Sequence, residues 1–170
     1  MSRELSSFKD IAEGFQAFER GEIDIDLFDD VLHTVLSYHL MDLGDLNAAP
    51  RPVALFYAAR TLEFDVGNGG FAQAAYNYPD WFGLAAEGYR AFNLPLAAER
   101  IEKARTLLPG ERRLFTATRI GHLFEQFQES RLAKLDSDLD GCGWWAIEAR
   151  IAYAVRHKDS FLAPGYHVLD

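Results

Sequence analysis

Apolar residues recur every three or four positions along most of this chain. In the first forty residues they form two series, Leu5, Phe8, Ile11, Phe15 and Phe18, then Leu27, Phe28, Val31, Leu32, Val35, Leu36 and Leu40. Such spacing places the apolar side chains on one side of a helix. Gly21 stands where the first helix should end, and Asp26 with Asp29 resembles a capping pair for the second. We therefore predict two amphipathic helices before residue 41.

The same period continues through the remaining chain. Pro52 is well placed to open a third helix through "VALFYAARTLEF", which the "VGNGG" cluster should end, and "GFAQAAYN" forms a short fourth. Four more helices are predicted in "DWFGLAAEGYRAFN", "LPLAAERIEKARTLL", "ERRLFTATRIGHLFEQFQESRLAKL" and "WWAIEARIAYAVRH", with breaks at Pro109-Gly110 and "DSDLDGCG". Because no alternating run is long enough for a strand, we predict an all-α fold. We expect one compact domain of about eight helices over residues 1–170.

Composition narrows the classes of protein that fit. An apolar content of 49% is ample for one buried core. No segment approaches the roughly 20 unbroken apolar residues of a membrane helix, and the first twenty residues lack the apolar core of a secretory signal. The single cysteine, Cys142, fits a reducing compartment. We therefore expect a cytoplasmic protein without a membrane partner.

The negative charge is concentrated near the start of the chain. The formal net charge is −9, and residues 1–50 contribute −8, whereas bases outnumber acids in residues 99–134. Six acids fall within twelve residues: Glu19, Glu22, Asp24, Asp26, Asp29 and Asp30. They form either a solvated face, whose acids offset a helix dipole, or a surface that binds a basic partner. A row of such acids offers charge at a spacing loosely comparable to DNA phosphates.

The stretch "DVGNGGFAQAAYN", residues 65–77, is the most distinctive motif. A glycine-rich turn into a helix is the general form of an anion-binding loop, but the Lys-Ser/Thr pair of a phosphate loop is missing. Gly69 and Gly70 are free to take positive φ, and Phe71 should turn into the core. Gln73 and Asn77 lie four apart on one face. The stretch is interpreted as a structural bend with internally bonded polar groups, and the alternative is a small polar ligand pocket.

This stretch, with "LPLAAERIEKA" and "ARIAYAVRHKDSFL" farther on, resembles a bacterial domain-of-unknown-function family whose best-studied member is a DNA mimic. The matching positions are Asn68, Gly69, Gly70, Phe71, Gln73 and Asn77, and the resemblance runs from about residue 50 to 162. Asp65 stands where a glutamate is usual, and Gly67 where an asparagine is. The resemblance implies an all-α, often dimeric, acidic protein. For the DNA mimic it also implies a surface that occupies the DNA-binding site of a transcription factor.

Little in the sequence supports metal binding, cofactor binding or catalysis. Asp136, Asp138, Asp140 and Gly141 occupy four places of a calcium loop, but Ile147 stands where the bidentate glutamate belongs. We therefore assign these three aspartates to the acidic surface, and predict no metal, no cofactor and no catalytic residues. The predicted function is non-enzymatic binding of a basic protein, with a DNA-binding transcription factor as the sharpest hypothesis and no direct binding of nucleic acid. The alternatives are an immunity-type or regulatory protein against a basic toxin or enzyme, and a small-ligand binder at Asn68–Asn77.

Overall fold

The chain is built from helices, as its periodicity predicts. The computed structural model describes residues 4–41, 46–116, 130–137 and 139–167. Its α-helices are α1 (Ile11–Glu19), α2 (Ile25–Leu40), α3 (Arg51–Asn77), α4 (Phe82–Ala91), α5 (Pro95–Thr116), α6 (Ile147–Arg156) and α7 (Lys158–Leu162). Short 3₁₀ turns cover Leu5–Ser7, Leu46–Ala48, Arg131–Leu135 and Asp140–Cys142. The described residues contain no sheet, only one isolated bridge between Asp10 and His167, so the prediction of an all-α fold is confirmed.

The connection between α1 and α2 tests two predictions made from local sequence, the end of α1 and the cap of α2. Gly21, which follows the C-cap residue Arg20 of α1, has a φ of 68°, which confirms the predicted helix end. The capping prediction for α2 was wrong, because the cap is Asp24, whose carboxylate accepts the Leu27 N–H at 2.9 Å. Asp24 has the extended backbone that a capping residue needs, whereas Asp26 already belongs to the first turn of α2.

Of the breaks predicted later in the chain, the one in the "VGNGG" cluster is confirmed. The backbone stays helical up to Asn68 and leaves helical geometry at Gly69 and Gly70. The predicted break at Pro109 is wrong, since α5 continues through it. An interior proline removes a backbone hydrogen bond and costs about 3 kcal/mol. The buried side chains described along α5, namely Ala97, Ala98, Ile101, Ala104 and Leu108, all precede it. Of the helix predicted over "ERRLFTATRIGHLFEQFQESRLAKL", residues 117–129 lie outside the described residues, and Arg131–Leu135 is a 3₁₀ turn that the Ser130 side chain caps.

The contacts of the chain divide into two compact units, and the expectation of one domain over residues 1–170 stays a prediction. The first unit comprises the described parts of Met1–Tyr57 and Ile147–Asp170. Its core centres on four phenylalanines, Phe15, Phe28, Phe56 and Phe161. Phe15 packs edge-on against Phe28 at 5.0 Å between ring centroids, and Phe161 against Phe56 at 5.4 Å. This core positions α1 and α2, which together with the connection between them carry six of the nine predicted acidic residues.

The second unit comprises the described residues of Ala58–Ala146. It contains α3 from Ala58 onward, α4, α5 and two 3₁₀ turns. Trp144 is fully buried at its centre, with Tyr89 stacked on it at 5.2 Å and Phe71 edge-on at 5.1 Å. This core holds the bend of residues 65–77. Among the described helices of the chain, none has both the length and the apolar character required to cross a bilayer.

Candidate functional site

Five of the six predicted acids near the start of the chain are exposed at the connection between α1 and α2. We call this group the acidic turn, and its members are Glu19, Glu22, Asp24, Asp26 and Asp30. Asp26 and Asp30 lie one helical turn apart on α2, about 6 Å along its axis. The structure therefore leaves these carboxylates accessible within one twelve-residue segment of the first unit.

Part of this negative charge is already engaged within the protein. Lys158 lies 2.5 Å from Glu19, and Arg20 lies 3.4 Å from Glu22. Asp24 is occupied in capping α2. Exposed ion pairs of this kind contribute about 0–1 kcal/mol and open readily. The charge of the acidic turn is therefore reduced by these contacts, and its carboxylates remain accessible to an incoming cation.

Asp29 does not belong to the acidic turn, which corrects the sequence-based grouping. Its side chain is buried, and its two oxygens accept hydrogen bonds from Arg150 Nε at 2.8 Å and Nη2 at 2.9 Å. The Arg150 guanidinium also lies over the ring of Phe56 at 5.8 Å. Removing one partner of such a pair leaves a buried charge uncompensated. Asp29 therefore acts in the fold of the first unit, where it ties α2 to α6.

The three later aspartates of the predicted acidic surface lie in different settings. Asp140 is exposed and accepts a hydrogen bond from Trp145 Nε1 at 2.6 Å. Asp138 lies outside the described residues. Asp136 is half-buried, and its carboxylate accepts the Phe71 N–H at 2.8 Å. Burial raises the pKa of Asp136 above its ordinary value, and the hydrogen bond from Phe71 partly opposes that rise. Asp136 is thus a component of the bend. Of the two aspartates that the structure describes here, Asp140 presents an exposed carboxylate.

The bend is formed by two glycines with different backbone demands. Gly69 has a φ of −157° and Gly70 a φ of 76° with ψ of −179°, a combination that is essentially confined to glycine. A Cβ on Gly70 would collide with the Asp136 carboxyl group, and one on Gly69 would collide with the Gln73 side chain. The Asp136 carboxylate occupies the start of the helical turn at Phe71. It therefore fills the place in which a glycine-rich loop would hold an external anion.

Two side chains tie the segments on either side of the bend together. Asn77 donates from its amide nitrogen to Asp65 at 2.8 Å, and Asp65 is buried. Asn77 therefore bonds to a carboxylate and not to Gln73, the partner suggested by their spacing. Tyr78 lies nearby, and burial followed by the charge of Asp65 raises the pKa of its hydroxyl. Asn68, the last helical residue before Gly69, is exposed. These internal bonds support the interpretation of the motif as a structural bend.

A buried polar cluster beneath the bend was missed in the sequence. Glu63 accepts hydrogen bonds from the Tyr89 hydroxyl at 3.0 Å and from the Ala146 N–H at 3.1 Å. The Tyr89 oxygen also lies 2.7 Å from the Trp144 carbonyl. The cluster joins α3, α4 and the segment before α6, across separations of up to 83 residues. No local spacing signals such a contact.

The burial of Arg150, by contrast, has a signal in the sequence, because Arg150 falls on the apolar face of α6 between Ile147 and Ile151.

Comparisons with known proteins place the chain in a family. A family model described as DMP19-like protein matches residues 47–157. No curated protein and no solved structure matches the chain. The matched span contains the complete bend and the three later aspartates, and it leaves out the acidic turn. Because the match covers well over half of the chain, including every position of the motif in residues 65–77, the protein belongs to the DMP19-like protein family.

Proposed function

We propose that this chain is a non-enzymatic protein that binds a basic nucleic-acid-binding protein through its acidic turn, in the manner of a DNA mimic. The observation that carries the proposal is the exposure of Glu19, Glu22, Asp24, Asp26 and Asp30 at one helix connection. A protein that binds DNA presents lysines and arginines for phosphates, and most of its non-specific affinity comes from that charge. The same basic surface is complementary to a group of carboxylates.

Spacing supports the same interpretation. Asp26 and Asp30 are separated by about 6 Å along α2, whereas phosphates on one DNA strand advance about 3.4 Å along the duplex axis. Two side chains on α2 therefore cover roughly the axial length of two phosphate steps. The charge of residues 1–50, −8 in total, gives a basic partner a long-range attraction that raises its association rate.

Membership in the DMP19-like family agrees with the resemblance described from the motif. The matched span, however, begins at residue 47, so the acidic turn is a feature of this chain that must be tested on this chain. The internal bonds at residues 65–77 support a role for the motif in holding the second unit together. We therefore assign partner binding to the acidic turn, with the exposed Asp140 as a separate acidic position.

The experiment begins with capture of the partner from the native host by the purified chain, followed by mass spectrometry. The decisive variant is Glu22→Gln with Asp26→Asn and Asp30→Asn, which leaves the capping Asp24 and the buried Asp29 intact. The matched control changes three exposed acids elsewhere, Glu99→Gln, Glu148→Gln and Asp159→Asn, and alters net charge by the same amount. Binding of the purified partner is then measured by surface plasmon resonance.

We expect the acidic-turn variant to lower the association rate at least about tenfold more than the control, because nearby opposite charges steer association. The rate should fall steeply between 0.1 M and 1 M salt, as the Debye length shortens from about 10 Å to about 3 Å. Duplex DNA should compete for the partner. Binding that DNA does not displace would instead favour a basic toxin or enzyme as the partner. Equal binding by the variant and the wild type, at both salt concentrations, would refute a role for the acidic turn.

The homodimer that the resemblance implies is part of the same proposal. Light scattering of the purified chain tests it directly, and a monomer at all accessible concentrations would contradict it.

A further inference from the structure

The outward face of α2 changes character along its length. Asp26, Asp30, Thr34 and Tyr38 follow one another at intervals of four residues, and Met41, the C-cap residue, comes three residues after Tyr38. Residues four apart on a helix are offset by about 40° around its axis, so this row turns by about 120° from Asp26 to Tyr38. The first half of this face carries two exposed carboxylates. Its second half carries two large side chains that are also exposed.

The apolar half continues into a groove beside the helix. Tyr38 is 48% exposed and Met41 59%, and Leu5 of the first 3₁₀ turn is 37% exposed. The groove has a volume of about 550 Å³ and is lined by Glu4, Leu5, Ser6, Phe8, Thr34 and Tyr38. Scattered apolar residues on a surface are normal, but an apolar group that borders a groove is typical of a binding site. Tyr38 and Thr34 join this groove to the acidic residues of the same helix.

The dimensions of the face define what could cover it. Asp30 and Tyr38 are separated by about 12 Å along the axis, and Asp26 and Met41 by about 22 Å. A partner helix of about four turns spans that distance and can present side chains to both halves. Lysines or arginines along the helix would meet the carboxylates. One large apolar side chain, two to three turns away, would enter the groove.

We propose that the outward face of α2 binds an amphipathic basic helix of the partner protein, with the groove beside Leu5 and Tyr38 holding its apolar anchor. This inference rests on the proposed function and names the kind of partner segment that the acidic turn receives. The apolar anchor distinguishes this inference from mimicry of DNA charge alone, because DNA phosphates present no apolar groove to a partner.

Charge complementarity selects this occupant. The sequence of α2, Ile25–Leu40, contains no lysine or arginine, so the same face of a second copy supplies no positive charge for Asp26 and Asp30. Anionic lipid surfaces and nucleic acids would both be repelled by those carboxylates. A basic helix with one apolar anchor satisfies both halves of the face at once.

Two synthetic peptides of about 18 residues test the proposal. Both are alanine-rich to favour a helix and carry the same four lysines on one face. One has a leucine at the anchor position, about two turns beyond the lysines, and the other has glutamine there. Dissociation constants are measured by fluorescence anisotropy at low and high salt with the full chain. The chain variants are Tyr38→Ser in the groove and Val155→Ser, a control at another exposed apolar side chain of the first unit.

For the wild type we expect the leucine peptide to bind about ten- to a hundredfold more tightly than the glutamine peptide, from burial of one apolar side chain. Tyr38→Ser should remove most of this advantage, and Val155→Ser should preserve it. Asp26→Asn with Asp30→Asn should weaken both peptides. The chain has two methionines, Met1 and Met41, so methyl-labelled methionine provides a direct readout. The leucine peptide should shift the Met41 signal, which Met41→Leu assigns.

The outcomes separate this inference from the proposed function. If both peptides bind equally well, or if Tyr38→Ser and Val155→Ser have the same effect, the apolar anchor is refuted while charge capture stands. If neither peptide binds at low salt, or if the Asp26 and Asp30 variant binds both as the wild type does, the role of the acidic turn fails as well. A Met41 signal that the leucine peptide leaves unchanged would also overturn the proposed place of the anchor.

Discussion

Gly70 combines a backbone conformation confined to glycine with a close side-chain neighbour in the bend of residues 65–77. Its φ of 76° and ψ of −179° are essentially confined to glycine, and another residue there costs about 1–3 kcal/mol. A Cβ would also collide with the Asp136 carboxyl group, which accepts the Phe71 N–H. Displacing that carboxylate loses a charge-assisted hydrogen bond worth about 1.5–3 kcal/mol. Gly70→Ala should therefore lower the free energy of unfolding by about 2.5–6 kcal/mol in total.

A double-mutant cycle separates backbone strain from the collision. Asp136→Ala alone should cost about 1.5–3 kcal/mol, the value of its hydrogen bond. In that background Gly70→Ala adds only strain, because no carboxylate is left to displace. The double variant should thus be about as unstable as Gly70→Ala, well short of the sum of the two single variants. Gly21→Ala is the control, with a φ of 68° but open space around its Cβ, and should cost about 1–2 kcal/mol.

The assay is urea unfolding followed by far-UV circular dichroism, with thermal melts alongside. In a chain of this size each kcal/mol shifts Tm by about 2–4 °C, so Gly70→Ala should melt about 5–24 °C below the wild type. The comparison requires that all variants share one slope of free energy against urea. A Gly70→Ala protein that melts with the wild type would refute the reasoning. So would single-variant costs that simply add.

Three further predictions concern side chains that form hydrogen bonds within the fold. Arg150→Met should cost about 3–5 kcal/mol in urea unfolding because it strands the Asp29 charge, and adding Asp29→Leu should recover much of that loss; a double variant as unstable as the single one would contradict this. The pKa of Asp136 is raised in the folded chain, whereas it has the ordinary value of 3.8 in the unfolded chain. As pH rises, this carboxyl group therefore ionises in the unfolded chain before it ionises in the folded chain. The wild type should therefore lose stability relative to Asp136→Asn between pH 3.8 and the raised pKa; a constant difference across this window would count against it. Asn77→Ala should cost about 1.5–3 kcal/mol by removing the hydrogen bond to buried Asp65, and an unchanged urea midpoint would show that the bond contributes nothing.

The hydrophobic period of the sequence was sufficient to predict an all-α fold. Helix formation depends on the repeat of apolar positions and on residues next to one another, both of which are visible in one segment. The end of α1 at Gly21 follows from the same local chemistry. Local preference failed at Pro109, where α5 continues although an interior proline costs about 3 kcal/mol. It also failed at the cap of α2, where three nearby aspartates offered similar side chains and only backbone geometry selected Asp24.

The sequence by itself determined that acids concentrate before residue 50 and that the glycines of residues 67–70 interrupt a helix, since both are properties of neighbouring residues. Only the tertiary structure decided that Asp29 is buried against Arg150, 121 residues away, while Asp26 and Asp30 stay exposed. It likewise placed Asp136 against Gly70, although Asp136 lies 65 residues after Phe71, whose N–H it accepts. Carboxylates have the same chemistry wherever they stand in a sequence. Whether one caps a helix, pairs with a buried cation or faces solvent depends on which distant segment packs against it.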